Sequence, residues 1–143
     1  MGARVPVLDP DDVRARDGGE WGDALRTWRA ELEAALLSGS GAVAVTTALR
    51  EGHRSAMTKA AVAAGVQAHL VLVDAAEDEC RAGRATQGEE KIADGLFEHL
   101  LREWGALRRA LENGDLPGDF ASVVIADRAA AARVRRISLS PST

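Results

Sequence analysis

The strongest constraint on this chain is the way short, unbroken apolar runs alternate with segments of helical period. The runs lie at residues 5–8, 42–47, 69–74 and 121–126, and the two clearest sit in "VQAHLVLVD" and "FASVVIAD". A strand with one face in water alternates apolar and polar residues. These runs do not alternate and are rich in β-branched valine, so they predict strands of a buried parallel sheet. Between them, Trp21, Leu25, Trp28, Leu32 and Leu36 recur at spacings of 4, 3, 4 and 4, one face of an amphipathic helix. Ile92, Leu96, Leu100, Trp104, Leu107 and Leu111 repeat in the same way over the longest periodic stretch. "HRSAMTKAAVAAG" and "AAEDECRAG" predict two shorter helices, and a helix or strand is expected in the segment after residue 127. The alternation predicts an α/β fold, a three-layer sandwich in which a parallel sheet of about four strands is flanked by helices through right-handed crossovers.

A chain of 143 residues is long enough to bury roughly two-thirds of its unfolded surface, and no linker divides it. One domain over residues 1–137 is expected, with 138–143 as a flexible tail. The net charge of −4 excludes a protein that coats nucleic acid through a general positive field. No apolar stretch approaches the roughly 20 residues of a membrane span, the start shows no signal-peptide pattern, and Cys80 is the only cysteine. These features predict a cytoplasmic protein with no membrane partner and no intrachain disulfide.

Local chemistry marks several positions. Asp9-Pro10 is a helix start, with Asp9 as N-cap and Pro10 at the first helical position, and Asp11 and Asp12 in the first turn. On this reading the carboxylates stabilise the helix N-terminus and Arg14 is solvated. "SGSG" at 38–41 precedes a strand instead of joining a strand to a helix, so it is a turn. His53, His69 and His99 fall in different segments without metal-ligand spacing, and Cys80 has no partner at CxxC distance, so no zinc site is expected. "RVRR", beginning at Arg133, is a solvated basic tail or a contact for an adenine or a phosphate.

The order of segments resembles the small P-loop kinases related to bacteriophage polynucleotide kinase, the zeta toxins and the predicted AAA-type kinases. "VLDPDDVR" looks like that family's second strand ending in an Asp-x-x-Arg substrate element. "LLSGSGAVAVTTALREGHRSAMTKAAVAAG" looks like its third strand and following helix. "VQAHLVLVDAAEDECRAGRATQGEEKIADGLFEHL" looks like its fourth strand, lid and post-lid helix, and "FASVVIAD" like its fifth strand. The similarity covers residues 5–137.

By resemblance, Asp11 aligns with the carboxylate that accepts the proton of an attacking hydroxyl, and Arg14 with the guanidinium that grips the acceptor's phosphate. Thr46 and Thr47 stand where the family usually has an Asp followed by Thr-Asn, a substrate-binding position that has lost its charge. Arg81 and Arg84 lie in the lid, where arginines clamp phosphates, and the second lid arginine falls near Gln87. Arg133 and Arg135 are the candidate nucleotide contacts of the basic tail, and Mg-ATP is the implied cofactor of an active member.

The family's first strand, GxxxxGK[ST] loop and first helix are not found in these residues. The only lysines are Lys59 and Lys91, and neither follows a glycine. Without the loop's backbone donors and lysine, a degenerate or truncated kinase-like domain, inactive alone and kept for binding or interaction, is the leading expectation. The alternative is an active ATP-dependent kinase of a nucleotide, polynucleotide or small hydroxylated substrate, with its loop outside this sequence or supplied in trans. A purely structural oligomerisation domain is a third reading. The resemblance also places a strand between 42–47 and 69–74. Those two runs therefore pair directly, or a second copy or partner chain closes the sheet, or the sequence begins downstream of the natural start. A nucleotide or phosphorylated small molecule is the implied ligand.

Overall fold

A computed structural model describes residues 4–46, 51–88, 93–115 and 118–134. The first strand, β1 (Val7–Leu8), runs directly into helix α1 (Pro10–Asp17) through the cap foreseen at Asp9. Asp9 is extended, at φ −123° and ψ 125°, and its Oδ1 accepts a hydrogen bond from the Asp11 N–H at 2.9 Å. Pro10 needs no acceptor at the first helical position and is buried there. Asp9→Ala is expected to cost about 1 kcal/mol of stability while Asp9→Asn costs little, a ranking that urea denaturation of the two variants reads directly.

Helix α2 (Trp21–Leu37) buries Ala24, Trp28 and Leu32. Of the stripe the spacing predicts, Trp28 and Leu32 are buried and Leu25 and Leu36 half-buried, and only Trp21 falls outside it. Trp21, at the first turn, is 41% exposed and lies under the Arg14 guanidinium at 5.9 Å from ring centroid to charge. The cause is α1, which lies on α2 and places Val13 in one cluster with Ala24 and Trp28. "SGSG" is a turn, as read from the sequence. Gly39 and Gly41 take φ of +81° and +69°, and the Ser38 and Ser40 hydroxyls both donate to the Ala35 carbonyl.

The chain continues through β2 (Val43–Ala44), α3 (Glu51–Ala64), β3 (His69–Asp74), α4 (Glu77–Ala85), α5 (Asp94–Glu112), β4 (Ser122–Asp127) and α6 (Arg128–Arg133). All four predicted strands are present, the first two shortened to 2 residues each. β1 pairs with β2 in parallel, Val7 opposite Val43 and Leu8 opposite Ala44. β3 pairs with β4 in parallel from His69 opposite Ser122 to Asp74 opposite Asp127. The strands thus form two pairs, and among the described residues β2 and β3 do not pair with each other. Direct pairing of 42–47 with 69–74, one of the three alternatives, is not seen among the described residues.

The helices cover one face of these strands. Leu8 and Ala44 pack on Val13, Ala24 and Trp28, and Leu70 and Leu72 pack with Leu107 and Phe120. Met57 of α3 touches both clusters and joins them. The alternate residues Val7, Val43, Val71, Val73 and Val124 point to the opposite face and are exposed. Helix α6 lies against β3 and β4. No described helix is long and apolar enough to cross a membrane.

Candidate functional site

In a parallel α/β sheet, ligands gather beyond the carboxyl ends of the strands, because helix N-termini and loops converge there. Each described strand of this chain delivers polar groups to that edge. β1 leads to Asp9, Asp11 and Arg14. β2 leads to Thr46, whose hydroxyl lies 3.5 Å from His53 Nδ1. β3 ends on Asp74, and β4 ends on Asp127, which caps α6 by accepting from the Ala130 N–H at 2.6 Å.

The structure places the sequence-derived candidates as follows. Asp11 is exposed in the first turn of α1, its N–H taken by Asp9, and Arg14 is exposed one turn later against Trp21. Asp11 and Arg14 share one helix, so the spacing expected of a substrate element is present. The same geometry also satisfies the capping reading. Thr46 lines the groove between the strand pairs. Thr47 and Arg135 lie outside the described residues. Arg133 is exposed in the last turn of α6.

Arg81 and Arg84 are brought together over the Phe97 ring of α5, at 5.8 and 4.9 Å. Both are already engaged. Arg81 donates to Glu77, its helix neighbour, and to Glu98 of α5, each at 2.7 Å. Arg84 pairs with Asp94 at the start of α5. The hydrogen bonds from Arg81 hold the Glu98 carboxyl below the usual carboxylate range, so it stays ionised at neutral pH. Because the shift is downward, the pairing is complete above the ordinary carboxylate pKa and is lost only as pH falls through the lowered one. At neutral pH a phosphate must therefore displace these carboxylates to reach either arginine.

Sequence reading missed Asp74, Trp104 and Arg108. The Asp74 carboxylate is nearly buried, accepts from Trp104 Nε1 at 2.8 Å and pairs with Arg108. An acid at the end of an apolar strand was the available signal, but its partners lie on α5, more than a helix length away in sequence.

Between the two strand pairs lies a groove of about 710 Å³. Its walls include Ala42 to Thr46, Val66 to Val73, Met57 and Trp104, and no Asp, Glu, Lys or Arg is among its described lining residues. Such a lining cannot compensate the desolvation of a triphosphate, since buried charge needs a paired partner. The described lining of this groove does not fit Mg-ATP. None of the strand-to-helix turns at residues 9, 75–76 or 127–128 is a glycine loop.

The profile of a family described as an AAA domain matches residues 4–112. No curated protein matches the chain.

Proposed function

The chain belongs to the AAA domain family, of P-loop NTPase-like, kinase type, and we propose that its described portion is the acceptor side and lid of such a domain, serving binding or interaction and not transferring phosphoryl from ATP by itself. One observation carries this reading. The lid arginines Arg81 and Arg84 are neutralised by Glu77, Glu98 and Asp94, while the adjacent groove has no Asp, Glu, Lys or Arg among its described lining residues. Phosphoryl transfer depends on preorganised cationic and N–H donors around the moving group, and removing them forfeits the largest part of the rate enhancement.

A second reading has its own support. Asp11 and Arg14 remain free of ion pairs among the described residues and face solvent at the carboxyl end of β1. With a phosphate loop supplied from outside these residues, Asp11 accepts the proton of a hydroxyl and Arg14 holds the acceptor's phosphate. The substrate is then a nucleotide, a polynucleotide or a small hydroxylated molecule.

A thermal-shift titration with Mg-ATP, ADP and a 5′-hydroxyl oligonucleotide separates the two. A ligand at 100 times its Kd adds about 2.7 kcal/mol to the folded state, an easily read shift. The first reading expects no shift with either nucleotide. A clear Mg-ATP shift overturns it. A shift with the oligonucleotide that disappears in Asp11→Ala/Arg14→Ala supports the assignment of these residues to the acceptor.

A further inference from the structure

The first residues of β3 and β4 bring an imidazole and a hydroxyl into direct contact. His69 and Ser122 stand opposite each other in the parallel register, and His69 Nδ1 lies 2.7 Å from Ser122 Oγ. Side chains alternate along a strand, so this pair shares its face with Val71, Val73 and Val124, away from the cluster that buries Leu70 and Leu72. Ser122 is exposed and His69 half-buried, so a reagent reaches both. A second hydroxyl–imidazole pair, Thr46 and His53, stands at 3.5 Å, outside the reach of proton transfer.

A serine hydroxyl is a weak nucleophile until a neighbouring base takes its proton as it attacks. With the ring proton on Nε2, the Ser122 hydroxyl donates to His69 Nδ1, which is then that base. The ladder from His69 opposite Ser122 to Asp74 opposite Asp127 holds the two backbones in place. What the pair acts on is set by its surroundings. His69, Val71 and Val73 line the groove, which has no Asp, Glu, Lys or Arg among its described lining residues. Val71, Val73 and Val124 are exposed and continue an apolar strip from the pair along the strands. An uncharged hydrocarbon chain gains by covering that strip, whereas a carboxylate or phosphate there loses hydration without finding a partner.

We propose that Ser122 is an acyl acceptor, with His69 as its general base, for activated esters and thioesters that carry an apolar acyl chain. The Ser122 oxygen adds to the acyl carbonyl carbon while His69 Nδ1 takes the hydroxyl proton. The tetrahedral adduct then collapses, the bond to the leaving oxygen or sulfur breaks, and His69 returns the proton to that atom. The products are an acyl ester of Ser122 and a free alcohol or thiol, and the transfer consumes no oxidant or reductant. The site shares no residue with Asp11, Arg14 or the lid arginines, so it does not depend on how those are read.

The test uses the 143-residue protein with three p-nitrophenyl esters, the hexanoate, the acetate and the negatively charged hemisuccinate. Nitrophenolate release gives the rate, and peptide mass spectrometry gives the acylated residue. Hexanoate is expected to acylate Ser122, faster than acetate and much faster than hemisuccinate. Acylation of Ser122 is expected to slow at least about a hundredfold in His69→Gln, the loss of a general base. Ser122→Ala is expected to form no adduct at this site. Val71→Thr leaves the pair intact and nearly keeps the side-chain shape, so it is expected to slow hexanoate and not acetate. Urea midpoints establish that each variant is folded. Absence of an adduct at Ser122 in the unaltered protein overturns the proposal, as does an adduct on His69, Lys59 or the α-amine in its place. An unchanged rate in folded His69→Gln overturns the role of the base, and equal rates for the three esters overturn the apolar acyl specificity. If His69→Gln does not fold, the acylated residue and the ranking of the esters still decide.

Discussion

Trp28→Ala is expected to lower the unfolding free energy by about 4 kcal/mol, the usual range for truncating a buried large aromatic. Trp28 has no exposed surface and is the largest fully buried side chain among the described residues. It stands between α1, α2 and the first strand pair, in one cluster with Val13, Ala24, Leu8 and Ala44. Its indole Nε1 also donates to the Leu8 carbonyl at 2.9 Å, where β1 gives way to the α1 cap. Alanine therefore leaves a cavity and removes one of the two hydrogen bonds to that carbonyl, which keeps the Val45 N–H. For a chain of this length the loss corresponds to a fall of roughly 12 °C in Tm. Trp28→Phe keeps most of the apolar volume and removes only the donor, so about 1–2 kcal/mol is expected. Urea denaturation of the three proteins, with slope as well as midpoint, decides the matter. Equal midpoints for Trp28→Ala and Trp28→Phe contradict the cavity account.

Asp74→Ala carries the second large expected effect, a loss of about 2 kcal/mol, because it strands the Trp104 indole N–H and unpairs Arg108 at once. Arg108 is half exposed and recovers hydration, which limits its share. Asp74→Asn keeps an acceptor for Trp104 and gives up only the charge, so its cost is expected to stay under about 1 kcal/mol. Thermal melts at low and high salt separate the contributions, since added salt screens the Arg108 pair and leaves the Trp104 bond in place. If Asp74→Asn proves as costly as Asp74→Ala, the charge pair carries the site and the hydrogen bond does not.

Several elements were legible at the level of residues. Asp9-Pro10 specified a helix start because capping and the missing proline N–H act within one turn. The runs at 69–74 and 121–126 specified strands because β-branched apolar residues favour the pleated sheet, although Val71, Val73 and Val124 of these strands are exposed. The glycines at 39 and 41 specified a turn, and both take positive φ. Trp21 was misplaced because the position of a helix stripe depends on which neighbour lies against it, and α1 covers Ala24 and Trp28 instead. The engagement of Arg81 and Arg84 was not legible either. Glu98 and Asp94 belong to another helix, and only its placement beside α4 brings the charges together.

By itself the sequence determined the alternation of strand and helix, the caps, the turns and the AAA-type order of segments, since each rests on interactions a few residues long or on periodicity. Only the tertiary structure decided that the four strands part into two pairs, that Asp74 closes on Trp104 and Arg108, and that a groove with no Asp, Glu, Lys or Arg among its described lining lies between β2 and β3. These depend on which strand edges find partners, and hydrogen-bond pairing between distant segments is a property of their arrangement in space and not of either segment alone.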